Sequence, residues 1–152
     1  MIWRSSQRSL TLILTISLSS IPLPKVVGQG ADPLVVVVGA NNSVNKITLA
    51  EAKALFLGET STWRSGQKVI VVLKSPGNSE RATVLKEICG MTETIYTRHE
   101  LQASFTGETA ASITVAPSNA AVMATVKANP GAIAALPQSA VVASVKIVLT
   151  LE

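Results

Sequence analysis

Aromatic residues, cysteine and histidine are scarce in this 152-residue chain, and each scarcity excludes a class of protein or site. Aromatics make up 3% of the residues, so the core must be built mainly from aliphatic side chains and alanine. The single cysteine, Cys89, excludes a disulfide framework and any multi-cysteine zinc or iron–sulfur site within one chain. The single histidine, His99, excludes a site that takes two histidines from one subunit.

Carboxylates are also arranged poorly for catalysis or for binding hard cations. Asp32 is the only aspartate, and it lies at the start of the segment that we expect to fold. Calcium and magnesium sites need several carboxylate or carbonyl oxygens, so neither ion is expected. The sequence also lacks the GxxxxGK[ST] loop that cradles phosphates in nucleotide-binding proteins. We therefore predict that the protein is not an enzyme and has neither a metal nor a cofactor.

The chain is nevertheless rich enough in hydrophobic residues to fold. These residues make up 47%, charged residues only 14%, and the mean hydropathy is +0.41. Intrinsically disordered chains have the opposite composition, low hydrophobicity with high charge. The length is sufficient for one domain with one core.

Residues 1–30 have the pattern of a cleaved secretory signal. Arg4 and Arg8 form a basic start, an apolar stretch follows at 10–18, and small residues lead to the expected cleavage position. The alternative is an uncleaved membrane anchor, but a spanning helix needs roughly 20 apolar residues. We predict a signal peptide at 1–30, a single domain at 31–152 and a periplasmic or secreted protein that meets the membrane only before cleavage.

Cleavage, expected before Ala31 or alternatively before Gln29, changes the charge balance. Three of the thirteen cations lie in the signal segment, which leaves ten against nine acidic residues, a net charge of about +1. Nucleic-acid binding leaves the footprint of a clustered basic face. Since no basic cluster occurs between 31 and 152, nucleic acid is not an expected partner.

Runs of β-branched residues alternate with amphipathic segments after the signal. LVVVV at 34–38 and VIVVL at 69–73 predict strands that are buried on both faces, as is typical of parallel sheets. Further strands are predicted at 113–116, 132–136 and 145–151. Strands that alternate with helices favour right-handed crossovers around a mainly parallel sheet. The predicted fold class is therefore α/β, with 34–38 and 69–73 as the central strands.

Capping residues indicate where the helices begin. Thr48 and Glu51 have the spacing of a capping box, in which the side chain of each residue accepts from the backbone amide of the other. Thr92 and Asn119 are predicted to cap two later helices. A further helix is expected after the loop at 75–79.

Spacing and position in the chain also assign several side chains to structural roles. Phe56 and Phe105 are predicted in the core, and Cys89 is predicted to be a buried, inert thiol. Trp63 is expected to cover one end of the sheet, and His99 to lie at the surface or between helices.

Three segments together resemble a known family. They are ITLAEAKALFLGETSTWRSG at 47–66, VIVVLKSPGNSER at 69–81 and VKANPGAIAAL at 126–136. In this order and spacing they are similar to the phosphate-binding protein of the phosphate ABC transporter and its small periplasmic relatives. The resemblance covers roughly residues 34–150.

The resemblance implies a periplasmic-binding-protein-like (type II) lobe, a small oxyanion ligand such as phosphate and an ABC transporter as partner. Full-length members have two lobes with the anion between them, and this sequence corresponds to the later part of that pattern. It departs from the family where Pro76-Gly77-Asn78-Ser79 replaces a Ser-Gly-Thr triplet and where Ala134-Ala135 replaces Gly-Tyr.

The loop at 75–79, which leads into a helix, is the candidate oxyanion site. Backbone amides at a helix start and the positive end of the helix dipole attract anions. Arg81 adds a full charge that is suited to a charge-assisted hydrogen bond. The alternative is ordinary capping, with Glu80 complementing the dipole. The candidate ligands in this segment are Ser75, Gly77, Asn78, Ser79 and Arg81.

A second loop, with Asn41 and Asn42, follows the first predicted strand. Ligands in open α/β sheets bind at the carboxyl ends of parallel strands. If the strands at 34–38 and 69–73 are parallel, both loops open on the same edge, and either asparagine lies near the anion. The alternative is a turn in which asparagine tolerates unusual backbone angles.

Two functions from different classes remain open at the level of sequence. The first is an exported, solute-binding-type protein that binds an oxyanion only weakly, because one lobe cannot close around a solute. The second is an interaction or accessory module of the periplasm that keeps the fold of the lobe without the ligand. Helix-start amides that are free favour the first function, and amides that are capped by side chains favour the second.

Overall fold

The computed structural model describes residues 32–108 and 111–152. The predicted signal peptide lies outside the described residues, so it remains a prediction. The described residues form five strands and four α-helices in a mostly alternating order, and a π turn at Leu85–Cys89 extends the second helix. The strands are β1 (Leu34–Gly39), β2 (Ile70–Lys74), β3 (Ser112–Ala116), β4 (Ala132–Pro137) and β5 (Val145–Leu151). The helices are α1 (Leu49–Phe56), α2 (Ser79–Val84), α3 (Glu93–Thr106) and α4 (Asn119–Ala128).

The five strands form one sheet in the order β3-β2-β4-β1-β5. β2 pairs in parallel with both β3 and β4, whereas β1 pairs antiparallel with both β4 and β5. Four strands therefore run in one direction and β1 runs against them. The predicted α/β class with a mainly parallel sheet is confirmed, and the two runs predicted to be central are both interior strands.

The direction of β1 is the main error of the sequence-based topology. The strand was expected to run parallel to β2, and it runs opposite to it. Val36 and Val38 pack with α1, α2 and α3 on one face, while Val35 and Val37 pack with α4 on the other. Helices on both faces therefore account for the continuous apolar run. Burial on both faces of a strand shows that helices cover both faces of the sheet there. It does not show the direction in which the strand runs.

Because β1 is reversed, different loops lie at the two ends of the strands. We call the end of the sheet where β2, β3, β4 and β5 terminate the carboxyl edge, and the end where they begin the amino edge. β1 ends at the amino edge, so the loop at 40–43 lies there. The loop at 75–79 follows β2 and lies at the carboxyl edge.

Two of the three predicted helix caps are confirmed, and one is shifted. The Thr48 hydroxyl accepts from the Glu51 amide at 3.2 Å, while the Glu51 carboxylate accepts from the Thr48 amide at 2.8 Å. Thr92 accepts from the amide of Ile95. The expected cap at Asn119 is wrong by one residue, because Ser118 has the extended backbone and accepts from the amide of Ala121.

Phe56 is fully buried, but the prediction that Phe105 belongs to the core is wrong. Phe105 is 87% exposed. Helix α3 buries Tyr96 and Ala103. At 3.6 residues per turn, Phe105 lies about two and a half turns after Tyr96 and so on the opposite face of the helix.

Trp63 seals the amino edge, as predicted. It is 6% exposed, and its indole N–H donates to the carbonyl of Gly131 at 2.9 Å, next to the start of β4. The Gly131 carbonyl also accepts from the amide of Ile70. One carbonyl therefore joins the loop before β2 to the loop before β4.

Cys89 is buried and unpaired among the described residues, and burial raises the pKa of its thiol to about 12. Since the thiolate is the nucleophile, we expect no reaction of the native protein with Ellman's reagent at pH 8 over minutes. The same protein in 6 M guanidinium should release about one equivalent of thionitrobenzoate. Because Cys89 is the only cysteine, the whole signal comes from it. Rapid stoichiometric release from the folded protein would contradict the buried placement.

Candidate functional site

The two candidate loops lie at opposite edges of the sheet. Asn41 and Asn42 follow β1 at the amino edge, and the segment 75–81 follows β2 at the carboxyl edge. The expectation that both loops open on the same edge is therefore wrong, because it depended on β1 being parallel to β2. Only Ser75, Gly77, Asn78, Ser79 and Arg81 are brought together.

Asn42 has a structural role at the amino edge. It is 2% exposed; its side-chain amide donates to the Pro130 carbonyl at 3.0 Å and its side-chain carbonyl accepts from the Val44 amide at 2.9 Å. The first bond joins the loop after β1 to the loop before β4, and the second stabilises the loop after β1 itself. Asn41 is exposed beside it. The amide of Asn42 donates to the carbonyl of Gly39, so the turn of the alternative interpretation is present. Neither asparagine has a positive φ, so unusual backbone angles are not the reason for asparagine here.

The loop at 75–79 is a tight turn that ends in a helix cap. The amide of Asn78 donates to the carbonyl of Ser75, and Gly77 has a φ of +84°, a left-handed conformation that favours glycine. The side chain of Asn78 then accepts from the amide of Glu80 at 2.9 Å. One amide of the helix start is therefore already satisfied from within the chain.

Arg81 is engaged by protein groups on all sides. It is 4% exposed, and its guanidinium contacts the Glu93 carboxylate through Nε at 2.8 and 3.0 Å and through Nη2 at 2.8 Å. Nη1 donates to the carbonyl of Lys74 at 2.9 Å. The guanidinium also lies 5.8 Å from the centroid of the Tyr96 ring. The position that an anion would take beside Arg81 is held by Glu93.

A second ion pair completes a charged cluster, which we define as Lys74, Glu80, Arg81 and Glu93. Lys74 is 7% exposed and pairs with Glu80. Two cations and two carboxylates cancel, so the cluster has no formal net charge. An incoming anion therefore meets less attraction than the predicted helix start with a free Arg81 would provide.

Arg81 of the cluster lies over the buried ring of Tyr96. The Tyr96 hydroxyl donates to the carbonyl of Phe56 at 2.9 Å, and burial raises the pKa of the phenol far above its usual range. Glu100 lies near this ring, and burial is the main cause that raises the pKa of its carboxyl. These groups favour a neutral phenol and a carboxyl that protonates more readily than usual, neither of which attracts an anion.

Sequence reasoning missed Glu93, which decides the electrostatics of this site. It lies on α3, whereas Arg81 lies on α2, and the two side chains meet only when the helices pack. No local spacing pattern joins them. Arg81 itself was identified, but as a ligand of an external anion and not as the partner of an internal one.

A second feature that sequence reasoning missed is a groove of about 590 Å³ at the amino edge. It lies between the loop after β1, the helix α1 and the loop before β2. Its wall combines buried apolar side chains with exposed polar ones. The residues that line it are Ser43, Val44, Asn45, Lys46, Ile47, Glu51, Ala54, Leu55, Thr60, Thr62, Trp63 and Arg64.

Residues 32–108 and 111–152 contain no group of three or more His, Cys, Asp or Glu side chains that is arranged to hold a metal ion. Within the same ranges, no helix has the length and apolarity needed to cross a bilayer.

Comparison with solved structures identifies the fold. The chain is similar to an ABC-type phosphate transport receptor from Vibrio cholerae, with a TM-score of 0.60 and 21% identity over 77% of this chain and 45% of that one. It is similar to a putative phosphate ABC transporter substrate-binding protein with bound phosphate from Clostridium perfringens, with a TM-score of 0.61 and 21% identity over 77% of this chain and 44% of that one. No family model and no curated protein matches the chain.

The chain therefore has the fold of a part of these phosphate receptors and spans less than half of their length. The resemblance deduced from the three sequence segments is confirmed at the level of the fold. Its implication of a single lobe of a larger two-lobed architecture agrees with the share of each receptor that is covered.

Proposed function

We propose that the protein is a non-catalytic, solute-binding-type component of ABC uptake that acts in the periplasm and binds a small oxyanion such as phosphate weakly. The observation that carries this proposal is the fold, which matches receptors described as phosphate transport and phosphate substrate-binding proteins. Residues 1–30 support export by their sequence pattern. The ABC transporter membrane component is the proposed partner.

The proposed anion position is the turn at the carboxyl edge. Ser75 and Ser79 offer hydroxyls there, and the Gly77 amide lies in a turn that is open to solvent. Pro76 has no N–H, and the Asn78 amide already donates to the Ser75 carbonyl. Asn78 is occupied as a helix cap, and Arg81 contributes only as far as Glu93 leaves its charge uncompensated. Since a single lobe leaves the anion partly hydrated, we propose a dissociation constant of about 1 mM, equivalent to about −4 kcal/mol.

Replacing Glu93 with Gln tests this proposal most directly. The substitution removes one negative charge from Arg81 and is expected to tighten phosphate binding about tenfold, because hydrogen bonds to charged groups contribute about 1.5–3 kcal/mol. Calorimetric titration of the wild type and of Glu93→Gln with phosphate and with sulfate measures the change. Added salt should weaken the binding in both proteins.

Glu87→Gln is the matched control for this titration. Glu87 is exposed on the π turn after α2 and takes no part in the charged cluster, so the same change in net charge should leave phosphate binding almost unaltered. An equal increase in phosphate affinity for Glu87→Gln and Glu93→Gln would show that the change comes from the net charge alone. Absence of binding in both the wild type and Glu93→Gln would contradict the oxyanion proposal.

The second candidate function is a periplasmic interaction or accessory module that keeps the lobe without a ligand. A specific observation favours it: Asn78 caps α2, and Glu93 neutralises Arg81, as expected of a site whose donors are satisfied internally. The titrations distinguish the two functions, because the module predicts no anion binding in any variant.

A further inference from the structure

The groove at the amino edge is separate from the proposed oxyanion position. It is built from the loop after β1, from α1 and from the loop before β2, whereas the charged cluster lies beyond the other end of β2. Its volume of about 590 Å³ falls within the range of about 300–1,000 Å³ that is typical of small-molecule sites. A single tetrahedral oxyanion would leave most of this space empty.

The floor of the groove is apolar, and hydrogen bonds hold two of its residues in place. Ile47, Leu55 and Trp63 are 6%, 4% and 6% exposed, and all three line the groove. Trp63 is held in place by its hydrogen bond to Gly131, and Ile47 by the hydrogen bond from its amide to the carbonyl of Val148. This floor suits the apolar body of a ligand and requires little rearrangement to receive it.

The rim of the groove is polar and mostly cationic. Lys46 and Arg64 are both exposed there, and Lys46 has no ion-pair partner in the part of the chain that the structure describes. The hydroxyls of Thr60 and Thr62 add donors. Two cations on one rim favour a ligand that carries a negative charge.

Glu51 is the one acidic residue of the lining, and its carboxylate already has partners within the protein. Oε2 accepts from the amide and hydroxyl of Thr48, and Oε1 lies 3.7 Å from Nη2 of Arg64. The hydrogen bonds from Thr48 are the main cause that lowers the pKa of this carboxyl. Glu51 therefore serves the start of α1 and offsets only part of the positive charge on the rim.

We propose that this groove is a binding site for a small amphipathic anion, an apolar body that bears one carboxylate. The body would lie against Ile47, Leu55 and Trp63, and the carboxylate would meet Lys46 and Arg64. This site is additional to the proposed oxyanion function and does not depend on it.

Binding of 3-phenylpropionate to the full chain tests the proposal. With Trp3→Phe in the background, Trp63 is the only indole, so a saturable change in its fluorescence reports on the groove. We expect a dissociation constant on the order of 0.1 mM. The neutral isostere 3-phenylpropionamide should bind about tenfold more weakly, because it has the same body without the charge.

Substitutions on the rim separate the charge from the floor. Lys46→Gln and Arg64→Gln should each weaken binding of the acid about fivefold and leave binding of the amide unchanged. Lys53→Gln is the matched control, since Lys53 is exposed on α1 but does not line the groove. Ala54→Leu narrows the groove and should weaken binding of both probes, with circular dichroism confirming that the variant folds.

Three outcomes would overturn the proposal. They are no saturable binding of the acid, equal binding of acid and amide, and equal loss of binding in Lys53→Gln and in the two rim variants. Glu93→Gln, at the other edge, should leave binding of 3-phenylpropionate unchanged. Failure of this site is therefore distinguishable from failure of the oxyanion proposal.

Discussion

Arg81→Met is expected to lower the free energy of unfolding by about 3 kcal/mol. Removing one partner of a buried ion pair costs about 3–5 kcal/mol, because the other charge is left without compensation. The side chain of Arg81 is 4% exposed and that of Glu93 is 33% exposed, so water offsets part of the loss and the lower end of the range applies. The Lys74 carbonyl also loses the donor Nη1. Urea denaturation followed by circular dichroism measures the change.

A second substitution shows whether the loss comes from the uncompensated carboxylate. Adding Glu93→Gln to Arg81→Met should restore at least half of the lost stability, since the remaining polar group is neutral. Arg98→Met, at an exposed position of α3, should change stability by less than about 0.5 kcal/mol. A loss below 1 kcal/mol for Arg81→Met would contradict the central role of the ion pair.

Gly131→Ala is expected to lower the free energy of unfolding by about 3 kcal/mol, the upper end of the usual cost of overpacking, for a purely steric reason. A Cβ atom at this position would overlap the carbonyl oxygen of Lys68 and lie 3.2 Å from its carbonyl carbon. Both atoms belong to the backbone, so neither can rotate away. The loops before β2 and β4 must separate, which weakens the hydrogen bonds that the Gly131 carbonyl accepts from Trp63 and Ile70. Thermal unfolding, followed by Trp63 emission in the Trp3→Phe background, measures the loss.

Gly107→Ala is the control that isolates the clash. Gly107 has a φ of +71°, and a Cβ there would meet nothing within 4 Å. Only the strain of a left-handed backbone is added, at about 1 kcal/mol, the cost of that conformation for a residue other than glycine. If Gly131→Ala is no more destabilising than Gly107→Ala, the close approach of the two loops is wrong.

The helix starts and the strands could be predicted because their signals are local. The Thr48–Glu51 capping box spans three positions, and the apolar runs at β1 and β2 each report their own burial. The same local patterns could not show the direction of β1, since both a parallel and an antiparallel interior strand are apolar on two faces. Direction is set by the chain between strands, here the crossover through α1 and the loop around Trp63.

The sequence predicted where in the chain the candidate oxyanion site lies, but not which of its groups have partners within the protein. The turn at 75–79 and Arg81 were identified from the loop that opens α2, and they do lie together at the carboxyl edge. The partner that neutralises Arg81 is set by the packing of α3 against α2, and Asn42 is occupied by contacts with Pro130, far away in the sequence. Such long-range partners decide which hydrogen-bond donors are free, and local sequence patterns do not identify these partners.

The strand β1 is bonded on both sides by strands that lie far along the chain. Leu34 pairs with Pro137 of β4 and with Leu151 of β5. Contacts between such distant residues form slowly, because the entropy of closing the intervening loop is lost before the pairing stabilises the chain. Until residues 132–151 leave the ribosome, β1 has no neighbour in the sheet, and α1 and α4 have an incomplete surface to cover. The nascent domain should therefore stay unfolded and sensitive to proteases until β5 emerges.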